Sequence, residues 1–90
     1  MKEIRIRELR YDEAKALLER ELEKAFLSGE MRVYVLHGIG EGILKQMTLE
    51  TAESLDYARV FTPGTIPYNP GITVIDLFPP DPSVFQKYMK

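Results

Sequence analysis

The chain has 90 residues, which is enough for one domain with a modest core and too short for two independent domains. Its composition, 44% hydrophobic and 29% charged, is typical of a folded globular protein rather than a disordered one. The net charge of −2, from 12 basic and 14 acidic residues, excludes a broadly basic surface. Any contact with nucleic acid must therefore rest on a local patch.

The absence of cysteine excludes disulfides, a thiolate nucleophile and cysteine-based zinc sites, and it fits a reducing compartment. No apolar run approaches the roughly 20 residues that span a bilayer. The N-terminal sequence MKEIRIRELR is charged where a signal peptide would be apolar. We therefore expect a cytoplasmic protein that does not enter a membrane.

The first predicted elements are a strand and a helix. In the segment EIRIREL, Ile4 and Ile6 alternate with Arg5 and Arg7, which is the pattern of a half-buried strand with two arginines side by side on one face. Apolar residues then recur at helical spacing, which predicts an amphipathic helix over residues 11–28.

Further along the chain, the segment MRVYVLH predicts a strand whose apolar run suits a central position covered on both faces. A helix and two strands follow, the strands separated by a proline-rich segment that forbids regular structure. The strand MRVYVLH spans residues 31–37, the helix is predicted over residues 41–54, and the two later strands are predicted over residues 57–61 and 71–78. The order β-α-β-α-β-β predicts an α/β sandwich, in which two helices cover a four-stranded mixed sheet, and the predicted domain spans residues 1–78. Residues 79–90 form a tail that could end in a short helix.

The segment VLHGIGEGILKQ, residues 35–46, places the chain's one histidine and three of its six glycines between the second strand and the second helix. Such a turn presents unpaired N–H groups at the positive end of a helix dipole, which suits a phosphate. The spacing fits neither a Walker A loop nor a dinucleotide fingerprint, so a nucleotide cofactor is disfavoured. The pattern alone leaves two alternatives open, a phosphate-binding turn and a plain sharp corner. A lone histidine is more often a hydrogen-bonded structural residue than a base.

Other side chains could join this turn in contacting a polynucleotide. Arg5 and Arg7 could grip phosphates, although a solvated strand face is the commoner role for such a pair. Lys45 lies one turn into the second helix, and Tyr68 could stack on a base. The aromatic residues of the tail are more typical of packing against the domain or a neighbouring chain.

Three segments in order resemble the Smr domain, the small MutS-related module found at the C-terminus of MutS2 proteins and in stand-alone proteins. They are LRYDEA at the first helix, VYVLHGIGEGILK at the central turn, and FTPG followed by PGITVIDL at the last strand. The resemblance spans residues 3–77. It implies a fold similar to the C-terminal domain of translation initiation factor three, and binding of DNA or RNA in DNA repair, recombination or RNA processing. In many members it also implies a nicking endonuclease activity.

The motif residues that match are His37, Gly38, Gly40 and Gly42, and Lys45 follows where Smr domains commonly carry basic residues. The first strand departs from the LDLHG-like motif of the family, whose Asp and His are associated with cleavage. In this register the chain has Arg5 at the Asp position, Arg7 at the His position and Glu8 at the Gly position. In the HGKGTG-like turn, Ile39 replaces the lysine and Glu41 replaces the threonine. An arginine in place of Asp can neither bind Mg²⁺ nor accept a proton near neutral pH.

The first hypothesis is therefore a Smr-like domain that binds nucleic acid, with its catalytic pair replaced. Its predicted binding residues are Arg5, Arg7, His37, Gly38, Gly40, Gly42 and Lys45. It requires no metal or cofactor, and Mg²⁺ enters only if a nuclease activity remains. Two alternatives stay open: a nicking endonuclease with His37 as its catalytic residue, and a protein-interaction module that has lost contact with nucleic acid. A homodimer or a parent MutS2-like chain is the expected protein partner.

Overall fold

The computed structural model describes residues 2–61 and 70–78. It confirms the predicted order of elements, most of them slightly shorter than predicted: β1 Lys2–Arg5, α1 Tyr11–Leu27, β2 Arg32–Leu36, α2 Ile43–Glu53, β3 Ala58–Val60 and β4 Ile72–Leu77. Tyr68 and the predicted tail helix lie outside the described residues. Within the described part of the chain, no helix is long and apolar enough to cross a membrane.

The four strands form one mixed sheet in the order β1-β2-β4-β3. Strands β1 and β2 are parallel and are joined by α1, whereas β4 runs antiparallel to both of its neighbours. Because β3 lies beyond β4, the connection through α2 passes from the centre of the sheet to its far edge. The predicted mixed sheet with two helices is thus confirmed.

The core lies between the sheet and the two helices. Helix α1 buries one face through Ala14, Leu18, Leu22, Ala25 and Phe26, and α2 buries Met47 and Ala52. The strands contribute Ile4, Val33, Val35, Ile75 and Leu77 to the same buried cluster. One aromatic pair within it, Phe26 and Tyr57, stacks with ring centroids 4.1 Å apart.

Strand β2 is central, as predicted, but its two faces differ. Val33 and Val35 are buried against the helices, whereas Arg32, Tyr34 and Leu36 alternate with them and are half-buried. On this second face Arg32 donates to Asp76 at 2.7 Å and so links β2 to β4. Among the described residues, the second face is covered less completely than the sequence predicts.

The site lies at one end of the strands, where β1 and β2 end and β4 begins. The parallel strands β1 and β2 both leave the sheet there, with Arg5 opposite Leu36, and the antiparallel β4 enters there, with Ile72 opposite Leu36. The N–H groups of Ile6 and Arg7 both donate to the carbonyl of Leu36, at 3.0 and 3.1 Å. Segments distant in sequence therefore meet at the end of β2.

Candidate nucleic-acid interface

The glycine turn connects β2 to α2 through backbone conformations that suit glycine. Gly38 has a φ of +77°, and Gly42, the N-cap of α2, has a φ of +82° and makes no side-chain cap. Such left-handed conformations cost other L-residues about 1–2 kcal/mol. The helix begins at Ile43, and the N–H of Gln46 donates to the carbonyl of Gly42 at 2.9 Å. The N–H groups before Gln46 thus form the positive end of α2.

His37 lies at the base of this turn and is only 5% exposed. Its Nδ1 is 2.7 Å from the carbonyl oxygen of Gly38, and its Nε2 is 2.8 Å from the Oγ1 of Thr73. A carbonyl can only accept, so Nδ1 carries the proton and donates it to Gly38. In the neutral ring Nε2 then accepts from the Thr73 hydroxyl.

The surroundings of His37 favour its neutral form. Burial lowers the pKa of His37 below its ordinary value, the hydrogen bond to Gly38 raises it, and the positive charge of Lys45 lowers it. Burial is the largest of these effects because it disfavours the charged imidazolium. His37 is therefore an uncharged, doubly hydrogen-bonded ring near neutral pH.

A shallow cavity of about 370 Å³ lies beside the turn, lined by Arg7, Glu8 and residues 37–45. Arg7 and Lys45 bring positive charge to it, and Glu8 and Glu41 bring negative charge. Arg7 Nη2 is 3.9 Å from Glu8 Oε1, with both side chains largely exposed, so this ion pair contributes little to stability. The cavity thus combines two cations, two carboxylates and the N-terminus of α2.

Of the predicted binding residues, the structure brings six to this cavity, namely Arg7, His37, Gly38, Gly40, Gly42 and Lys45. Arg5 is not among the lining residues. Strand β1 ends at Arg5, whose side chain is exposed on the face opposite the buried Ile4, and Arg7 follows beyond the end of the strand.

Thr73 is the residue that sequence reasoning missed. It is 6% exposed and lies opposite Val35 in the β2–β4 pairing, on the buried face of the sheet. The available signal was a hydroxyl on the inward side of β4, where the other residues, Ile75 and Leu77, are apolar. Nothing in the pattern showed that this hydroxyl meets a histidine 36 residues away.

A comparison with known protein families decides the relationship. The sequence profile of the Smr domain matches residues 4–77, which is most of the chain. The chain belongs to the Smr family.

A solved Smr domain supports the same relationship in three dimensions. The crystal structure of the Smr domain of Thermus thermophilus MutS2 is similar to this chain, with a TM-score of 0.74 and 30% sequence identity. The match covers 88% of this chain and 100% of the Thermus domain. A comparison with curated protein sequences finds no significant match. The resemblance inferred from the three motifs is thereby confirmed.

The register of the first Smr motif agrees with the backbone at Glu8. Glu8 has a φ of +69°, and within residues 2–61 and 70–78 it is the one non-glycine residue with a left-handed backbone. This is the position where the LDLHG-like motif has glycine. The left-handed backbone at Glu8 is the conformation that a glycine at this position would favour.

The carboxylates at the cavity do not form a metal site. In the part of the chain that the structure describes, no group of three or more His, Cys, Asp or Glu side chains could hold a metal ion. Glu8 and Glu41 both line the cavity, but Arg7 and Lys45 line it as well. Neighbouring cations oppose the binding of Mg²⁺, which prefers carboxylates and phosphates. The residues present therefore do not fit a Mg²⁺ site made by the protein alone.

Proposed function

We propose that this Smr domain binds DNA or RNA through the glycine turn and does not cleave it. The observation that carries the proposal is the meeting of Arg7, Lys45 and the N-terminus of α2 around one cavity. Each of the three favours an anion, and a polynucleotide backbone presents successive phosphates. Membership of the Smr family, whose members bind nucleic acid, supports the same ligand class.

The mode of contact follows from the groups present. The Arg7 guanidinium can hold two phosphate oxygens at once, while Lys45 acts as a point charge in the first turn of α2. Backbone N–H groups at a helix N-terminus add contacts that do not depend on base identity. We therefore expect binding that depends strongly on salt and weakly on sequence.

Two features support binding without cleavage. His37 uses its proton toward Gly38 and its remaining lone pair toward Thr73, so neither nitrogen is available to activate water. At the first-strand positions associated with cleavage, Arg5 and Arg7 supply neither a metal ligand nor a base. The endonuclease alternative would need a base from elsewhere.

The test compares Arg7→Gln with the matched control Arg5→Gln. Fluorescence anisotropy with labelled single-stranded and duplex oligonucleotides should show salt-dependent binding by the wild type. Arg7→Gln should reduce the log–log salt slope by about 1, and Arg5→Gln should leave it nearly unchanged. Equal effects of the two variants would contradict the proposed site. No binding even at low salt would favour the interaction-module alternative.

A nicking assay addresses the second half of the proposal. Supercoiled plasmid incubated with the wild-type chain and Mg²⁺ should stay supercoiled, as should plasmid incubated with His37→Ala. Nicking by the wild type that disappears in His37→Ala would establish the endonuclease alternative instead.

The cytoplasmic location, the homodimer and the MutS2-like parent chain stay predictions, and light scattering would determine the oligomeric state.

A further inference from the structure

The base of the glycine turn is attached to β4 by both main chain and side chain. The N–H groups of His37 and Gly38 both donate to the carbonyl of Gly71, at 3.1 and 3.0 Å. Two residues beyond Gly71, within β4, the hydroxyl of Thr73 lies 2.8 Å from Nε2 of the His37 ring. The turn is thus connected to the strand that begins immediately beside it.

Only one arrangement of protons satisfies every one of these groups when the ring is neutral. The Gly38 carbonyl requires a proton on Nδ1, which leaves Nε2 as an acceptor. Thr73 supplies the matching donor, and both it and His37 are almost fully buried, so water does not readily replace it. The Gly38 carbonyl therefore selects the tautomer, and the Thr73 hydroxyl complements it by donating to Nε2.

The direction of the Gly38 carbonyl determines the direction of the next N–H. In a trans peptide the C=O and the following N–H point in opposite directions, and the described residues contain no cis peptide. Because the carbonyl of Gly38 points at the buried ring, the N–H of Ile39 points away from it, toward the exposed side of the turn. Ile39 and Gly40 are exposed there, beside the cavity.

We propose that Thr73 and His37 are positioning residues, which together fix the peptide between Gly38 and Ile39 so that the turn presents its N–H groups to a phosphate. Thr73 orients the ring through its hydrogen bond to Nε2, and the ring holds the carbonyl. Neither residue is catalytic. The functional consequence rests on the proposed binding of nucleic acid, but the order of the turn does not depend on it.

The test uses two variants of Thr73 in the full chain. Thr73→Ser keeps the hydroxyl, and Thr73→Val keeps the shape but removes the donor. The ¹⁵N shifts of the wild-type ring should show a proton on Nδ1. Thr73→Val should keep the Nδ1 proton but lose the hydrogen bond to Nε2, which changes the Nε2 ¹⁵N shift, and it should show faster backbone motion at Ile39 and Gly40, while Thr73→Ser should resemble the wild type.

Affinity for a labelled oligonucleotide tests whether the two residues affect binding and not only the stability of the fold. At a temperature where both variants remain folded, Thr73→Val should bind about five- to tenfold more weakly, and Thr73→Ser should bind like the wild type. A proton on Nε2 in the wild type, or wild-type affinity together with a rigid turn in Thr73→Val, would overturn the proposal. If the wild type binds no oligonucleotide, the proposed function fails, and the tautomer and backbone measurements still decide whether the pair orders the turn.

Discussion

Replacing Glu8 with glycine is expected to stabilise the domain. Glu8 has a φ of +69°, and an L-residue in this region costs about 1–2 kcal/mol relative to its preferred conformation. Glycine avoids this cost but loses about 0.5–1 kcal/mol more conformational entropy on folding. The ion pair with Arg7, at 3.9 Å and largely exposed, contributes little. The difference favours Glu8→Gly by about 0.5–1 kcal/mol.

The assay is thermal and urea unfolding of the full chain, with Glu8→Ala as the matched control. For a domain of this size the expected stabilisation raises the Tm by about 2–8 °C. Glu8→Ala removes the same carboxylate but keeps the unfavourable backbone, so its stability should stay within about 0.5 kcal/mol of the wild type. The reasoning is refuted if Glu8→Gly is no more stable than Glu8→Ala. Both variants remove one negative charge from the cavity, so they should strengthen oligonucleotide binding equally.

Three further predictions concern the turn, the buried histidine and the core. Ile39→Lys adds a cation at the exposed turn, so anisotropy titrations should show tighter binding at low salt and a log–log slope steeper by up to about 1. Burial lowers the pKa of His37 below 6.5, so the unfolded chain takes up this proton first as the pH falls. The contribution of neutral His37 to the free energy of unfolding is fully present above pH 6.5 and is lost as the pH falls toward the folded-state pKa. In urea unfolding, His37→Asn should lack this dependence on pH. Tyr57→Ala removes a buried ring stacked on Phe26 at 4.1 Å and should lower the free energy of unfolding by about 3–5 kcal/mol in urea.

Each of these has a specific contrary result. An unchanged salt slope in Ile39→Lys would mean that the turn does not approach phosphates, and Ile39→Gln serves as its uncharged control. An identical pH dependence in His37→Asn and the wild type would mean that the histidine titrates alike in both states. A loss below about 1 kcal/mol in Tyr57→Ala would place the stacked pair outside the stabilising core.

The element order was predictable because periodicity and turn residues are local signals. The position of Arg5 outside the cavity was not predictable, because the apolar alternation continues to Ile6 whereas the strand ends at Arg5. Only the hydrogen bonding of Ile6 and Arg7 to one carbonyl shows where the chain leaves the sheet. Of the two arginines predicted together, Arg7 lines the cavity and Arg5 does not, and the role of each in binding stays a prediction.

The environment of His37 depends on a contact that no local pattern contains. Thr73 reaches it through the register of β2 and β4, which is a property of the folded sheet. Glu8 is a different case, since its left-handed backbone is foreseeable only from the glycine of the Smr motif. The glycine of the motif thus indicates the left-handed backbone that the structure has at Glu8.

Strand β1 lies at one edge of the sheet, so its local unfolding is linked to ligand binding at the site. Among the residues that the structure describes, this four-residue strand pairs with β2 alone, and Arg7 lies two residues beyond its end. A short edge strand is the kind of element that opens by local unfolding without global denaturation. A polynucleotide held by both Arg7 and the α2 N-terminus would have to detach before β1 could peel away. Part of the binding free energy would then appear as slower amide hydrogen exchange in β1.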